Sequence, residues 1–131
     1  MKTLCVDFDG VVHAYTSGWK GVAEVTDGPV AGAIEWLWWA SERYEVCIYS
    51  SRSKDARGLT AMKNALYAWA REALMPEHAD ELMGRLSFPT QKPAAYLTID
   101  DRAICFDGVW PTADQIDNFQ PWYRRDPIGS I

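Results

Sequence analysis

"LCVDFDGVVH", residues 4–13, begins as a buried strand and stops on two acids. Leu4, Cys5 and Val6 are apolar, and Asp7 and Asp9 follow with only Phe8 between them. Like charges this close repel, and burial makes the repulsion costlier. The pair is therefore either a solvated turn or the place where something positive binds. Gly10 lets the chain turn away directly afterwards.

The segments that follow show what kind of sheet this strand joins. After the strand at 3–7, residues 11–28 are rich in Gly, Thr and Ser with scattered aromatics, and predict an irregular flap. Pro29 suits a first helical turn, and a helix is expected over 30–43 with Val30, Ala33, Ile34, Leu37 and Ser41 on one face. "EVCIYS", 45–50, is a second apolar strand. Ser53 is placed to cap a helix over 54–74, with Ala61, Leu66, Ala68, Trp69 and Leu74 as its apolar content, and Pro76 stops it. A helical piece near 78–84 and a short strand near 85–88 come next, then the strand "AAYLTID", 94–100. "AICFDGVW", 103–110, predicts a further strand and turn, followed by a short helix over 111–119 and a weakly patterned tail, 119–131. Strand and helix alternate, and the strands are continuous apolar runs rather than alternating ones. That pattern predicts one α/β domain over 1–131: a three-layer, Rossmann-like fold around a mainly parallel sheet.

In such sheets ligands sit outside the carboxyl ends of the strands. The first strand ends on Asp7 and Asp9, the second on Ser50, Ser51 and Arg52, and a later one on Asp100 and Asp101, with Lys92 in the loop before it. Converging carboxylates need a counter-charge, and oxygen-only ligands without His or Cys suit Mg²⁺. A metal, an ammonium and a hydroxyl beside a carboxylate can hold a phosphoryl group. A carboxylate held in line with phosphorus can attack it.

At these residues the chain resembles the haloacid-dehalogenase-like (HAD) phosphohydrolases. "DFDGV" is similar to their DxDG motif, "VCIYSSR" to the strand ending in Ser or Thr, Lys92 of "QKP" to the conserved-type lysine, and "YLTIDD" to the strand ending in two acids. The four stand in the family's order over residues 4–101. The resemblance implies a HAD-like fold and a Mg²⁺-dependent phosphomonoester hydrolase working through an aspartyl-phosphate. Asp7 would be the nucleophile and a metal ligand. Asp9 would be the general acid/base, with its backbone carbonyl on the metal. Ser50 and Lys92 would hold the phosphoryl group, with Ser51 and Arg52 beside them, and Asp100 and Asp101 would complete the metal site. Members of that family often carry a separate cap domain, but here the segment between Asp9 and the first helix is short and the stretch from Ser50 to Lys92 reads as ordinary crossover, so a capless or nearly capless enzyme is expected. The flap, with His13, Tyr15, Trp19 and Lys20, is then the candidate source of specificity, His13 being expected as a packed or exposed flap residue rather than a base.

"FDGV" recurs at 106–109 with Cys105 where Asp7 would stand, so the tetrapeptide alone carries little weight. The formal net charge of -5 argues against a non-specific polyanion binder, though not against a nucleotide or a nucleic-acid end. Cys5, Cys47 and Cys105 sit in apolar stretches and are expected to be reduced core residues. Asp7 interrupts any apolar leader, and no apolar run approaches the roughly 20 residues of a membrane span, so a cytoplasmic protein is expected. Trp39 falls on the polar face of its helix with Trp36 at the flank, which marks a candidate homo-oligomer interface. The expected substrate is a small phosphorylated metabolite or nucleotide. The alternatives are a polynucleotide-end 3′-phosphatase and a non-catalytic phosphate- or Mg²⁺-binding module resembling a receiver domain.

Overall fold

The computed structural model describes residues 1–124. Three short strands, β1 (Thr3–Val6), β2 (Glu45–Ile48) and β3 (Leu97–Ile99), form an open parallel sheet in the order β2-β1-β3. Cys5 of β1 lies opposite Cys47 on one side and Thr98 on the other. The chain leaves β1 through α1 (Ala33–Ser41) to reach β2. It then runs through α2 (Ala56–Ala73) and α3 (Pro76–Arg85) and returns to the opposite side of β1 as β3. The carboxyl end of β1 is therefore the point where the topology reverses, the usual place for a crevice in such a sheet.

The helices are where the apolar spacing puts them. In α1, Ile34, Leu37, Ala40 and Ser41 are buried. In α2, Gly58, Met62, Leu66 and Ala70 recur every four residues and form the buried face. Of the apolar residues expected to dominate α2, Leu66 is at its centre, whereas Ala68 faces solvent. Asp55 caps α2 by accepting from the Arg57 amide at 2.8 Å. Pro76 opens α3, where the missing N–H costs nothing. These helices pack on each other, and α1 packs on β2, in a core that includes Phe8, Val46, Ile48 and Leu82.

Several expectations are corrected. The α/β class and the parallel sheet are as expected, but the described sheet has only three short strands and α1 is shorter than 30–43. The strand expected at 85–88 is a single bridge, Ser87 beside Cys47, that lengthens the sheet past β2 by one residue. No strand forms at 103–110: that stretch is exposed chain in which Phe106 packs on Trp110 at 4.8 Å. Its apolar residues lack a second sheet edge to cover, because β3 is itself short and largely exposed. Cys105 is consequently exposed, while Cys5 is buried, and all three cysteines are free. Trp36 and Trp39 are exposed on α1 as expected. No helix among the described residues is long and apolar enough to cross a membrane. Residues 125–131 of the tail lie outside the described residues.

Candidate active site

The carboxyl edge of the sheet collects most of the residues singled out in the sequence. The Asp7 amide donates to the Ile99 carbonyl at 3.0 Å, continuing the β1–β3 pairing by one step. This puts Asp7 level with Asp100 and Asp101 just beyond β3. One carboxylate oxygen from each of the three lies within 4.8 Å of the others. Among the described residues no salt bridge reaches any of them. Burial, a hydrogen bond with Asp101 and the charge of Asp100 push the Asp7 carboxyl up to about 8. A divalent cation among these oxygens would reverse that balance, and the all-oxygen donor set suits a hard ion.

Gly10 makes the close approach possible. Its φ is +83°, and a Cβ there would overlap the Asp101 carboxylate and press on the Tyr123 ring. The turn is held by the Phe8 carbonyl, which accepts from the amides of Val11, Val12 and His13 at 2.9–3.2 Å. Phe8 itself is fully buried in a cluster with His13 and Trp69 of α2, the three rings all in mutual contact at 5.5–6.1 Å.

Asp9 has a different environment from Asp7. Arg52 grips it with two hydrogen bonds, Nε to Oδ2 at 2.9 Å and Nη2 to Oδ1 at 3.1 Å. His13 adds a third, Nδ1 to Oδ1 at 2.9 Å. The other ring nitrogen of His13, Nε2, accepts from the Asp27 amide at 3.1 Å, which places the ring proton on Nδ1, facing Asp9. Burial alone would raise the Asp9 carboxyl. The hydrogen bonds from His13 and Arg52, together with the guanidinium charge, outweigh it and hold Asp9 below the usual range. Its side chain is not part of the three-acid group.

Arg52, expected beside the phosphoryl group, is a fully buried tie instead. Its remaining donors go to the flap carbonyls of Gly21, Val22 and Glu24 at 2.7–3.2 Å, and Trp19 covers its guanidinium at 4.8 Å. All five N–H groups are used, so none remains for a phosphate. The tie is set by the tight start of α2, where a Cβ on Gly58 would strike the Arg52 backbone. Ser50 is similarly committed: its hydroxyl accepts from the Arg52 amide at 3.0 Å and faces Met62 Sδ at 3.4 Å.

Two clefts open on the three acids. A narrow one of about 150 Å³ is bordered by Asp7, Ser51, Lys92 and Asp100. A wider one of about 280 Å³ is bordered by Asp7, Asp101, Tyr15, Trp19, Arg102 and Tyr123. Of the flap residues expected to matter, Tyr15 and Trp19 line this second cleft, His13 is buried beneath it, and Lys20 is exposed and borders neither. The flap has a neck rather than a hairpin: the Ala14 amide donates to the Gly28 carbonyl and the Val30 amide to Val12, at 2.9 and 2.8 Å.

Sequence reasoning missed the closing wall. The Trp122 indole donates to the Gly10 carbonyl at 2.7 Å, and the Tyr123 ring meets Tyr15 edge-on at 5.9 Å. Arg102 reaches the Tyr123 hydroxyl at 3.4 Å. The signal available was the aromatic pair Trp122-Tyr123 in an otherwise plain tail. No protein-family model, no curated protein and no solved structure matches this chain.

Proposed function

We propose that this chain is a Mg²⁺-dependent phosphomonoester hydrolase of HAD type that works through an aspartyl-phosphate on Asp7. The observation that carries this reading is the group of Asp7, Asp100 and Asp101 at the reversal point of a parallel sheet, with oxygens within 4.8 Å. In this reading those three acids, with the Asp9 backbone carbonyl, hold the metal, which would neutralise charge on the phosphoryl oxygens and on Asp7. Lys92 and Ser51 border the narrow cleft and are placed to contact the phosphoryl group, while Ser50 shapes the loop that presents Ser51. An Asp7 oxygen attacks phosphorus, the bond from phosphorus to the leaving oxygen breaks, and that oxygen takes a proton. Water then attacks phosphorus, releases phosphate and restores Asp7.

Asp9 is the acid/base of this scheme, and its surroundings favour the ionised form. That suits the second half-reaction, where a base must take a proton from water. It suits the first half less, so leaving groups that need little protonation should react fastest. The same grip on Asp9 favours a second reading, a non-catalytic phosphate- or Mg²⁺-binding module.

Phosphate release from an aryl phosphate separates the two. Activity that needs Mg²⁺, disappears in EDTA and falls by several orders of magnitude in Asp7→Asn is the expected result. Full activity in Asp7→Asn would defeat the assignment of the nucleophile. Binding of Mg²⁺ without release from any phosphate monoester would leave the binding module.

A further inference from the structure

The wider cleft has walls that the phosphoryl chemistry does not need. Trp19 is 50% exposed although its ring covers the Arg52 guanidinium, so the flap holds an aromatic surface in place at the cleft mouth. Tyr15 stands across from it at φ 62°, the single non-glycine residue with a positive φ among the described residues. A bulky residue in that region carries strain, and such strain gathers at ligand sites. Tyr123 closes the third side, its ring fixed against Tyr15 and its hydroxyl met by Arg102. Three rings and one guanidinium thus surround a space whose floor is the Asp7–Asp101 edge.

We propose that this cleft is a base subsite, and that the substrate is a free nucleoside monophosphate whose base stacks among Trp19, Tyr15 and Tyr123. Aromatic side chains suit any base, because every base has a π-face. Arg102 adds a cation at the rim, where base edges and ribose oxygens offer acceptors. The volume, about 280 Å³, lies at the small end for ligand clefts, on the scale of a single nucleotide. Charge points the same way: 18 acidic against 13 basic side chains leave little to track a phosphate backbone. The proposal rests on the phosphomonoesterase reading of the acidic floor and adds the identity of the leaving group.

The experiment is calorimetric titration of the Asp7→Asn protein in Mg²⁺, where turnover cannot blur binding. The probes are the 5′- and 3′-monophosphates of adenosine and uridine, ribose 5-phosphate, and a short 3′-phosphorylated oligonucleotide. The best nucleotide should bind at least about tenfold tighter than ribose 5-phosphate, the ratio expected of one stacked base. Trp19→Leu and Tyr123→Leu should each reduce that ratio severalfold. Two variants are needed because Trp19 also covers Arg52. Equal affinity for nucleotide and ribose 5-phosphate overturns the base subsite. An oligonucleotide that binds tenfold tighter than every mononucleotide overturns the assignment to a free nucleotide. Phosphate release by the unmodified protein is scored separately. Its absence would sink the chemistry while leaving the nucleotide preference measurable, and equal affinities would sink the subsite while leaving the chemistry standing.

Discussion

The tetrapeptide Phe-Asp-Gly-Val occurs at 8–11 and again at 106–109, and the two copies share a left-handed glycine but little else. Both glycines take a left-handed conformation, φ +83° at Gly10 and +98° at Gly108. In the second copy, Asp107 accepts from the Val109 amide at 3.0 Å, an ordinary side-chain turn. Phe106 and Val109 are 55% and 74% exposed there, whereas Phe8 is fully buried. Asp9 is held by Arg52 and His13. Local sequence chooses the turn in both places. What makes the first copy a candidate site is the strand before it, which carries the turn into the middle of the sheet.

The largest expected consequence concerns the phenylalanines. Phe8→Ala empties a fully buried ring site against His13 and Trp69 and should cost about 3–5 kcal/mol in urea unfolding. Phe106→Ala, at 55% exposure, should stay within about 0.5 kcal/mol. Similar losses at both positions would mean that the exposed arm packs in solution, and the contrast between the copies would fail.

The aspartates come next. Asp9→Asn leaves the fully buried Arg52 without its charge partner and should cost about 2–3 kcal/mol near neutral pH, Asn keeping one acceptor oxygen. Asp107→Asn should be close to neutral. The pH dependence gives the sign. Asp9 is held below the usual carboxylate range, so its contribution is complete above the unfolded value near 3.9 and is lost as pH falls further. The gap between unmodified protein and Asp9→Asn should therefore be flat from about pH 5 to 8 and close below about 4. A gap that instead widened in acid would contradict the ionised state of Asp9.

These pairs also mark what was legible in the sequence. Asp7, Asp100 and Asp101 could be read because each directly follows an apolar strand, and parallel strands bring their ends together whatever lies between. The helix faces were legible for the same local reason, as Ile34, Leu37 and Leu66 show. Arg52 was legible as a residue of the site but not in its task, because its donors go to Asp9, 43 residues away, and to flap carbonyls that no side-chain pattern announces. The wall at Tyr123 depends on a hydrogen bond from Trp122 to Gly10 across 112 residues, and the aromatic pair that marks that tail does not say what it packs against. The strand expected at 103–110 failed in the opposite sense: its apolar content was real, but a strand needs an edge with enough length and cover to pair against, and β3 has neither.

The glycines sharpen the comparison most, although their expected effect on stability is the smallest. Alanine at either position must hold a left-handed φ, which costs about 1–2 kcal/mol. Nothing lies within 4 Å of a Cβ on Gly108, so Gly108→Ala should show that cost and no more. A Cβ on Gly10 meets the Asp101 carboxylate and the edge of the Tyr123 ring, side-chain atoms rather than backbone, and the carboxylate is the group free to swing aside. Gly10→Ala should therefore unfold little more easily than Gly108→Ala, while pushing Asp101 away from Asp7 and Asp100. A displacement of that kind at a reacting centre costs about a hundredfold in rate. Measured together, the two variants should match within about 1 kcal/mol in denaturation and differ by about that hundredfold in Mg²⁺-dependent phosphate release. Full activity in Gly10→Ala would remove Asp101 from the site. It would also leave the close approach at Gly10 as a matter of packing, on the same footing as the turn at Gly108.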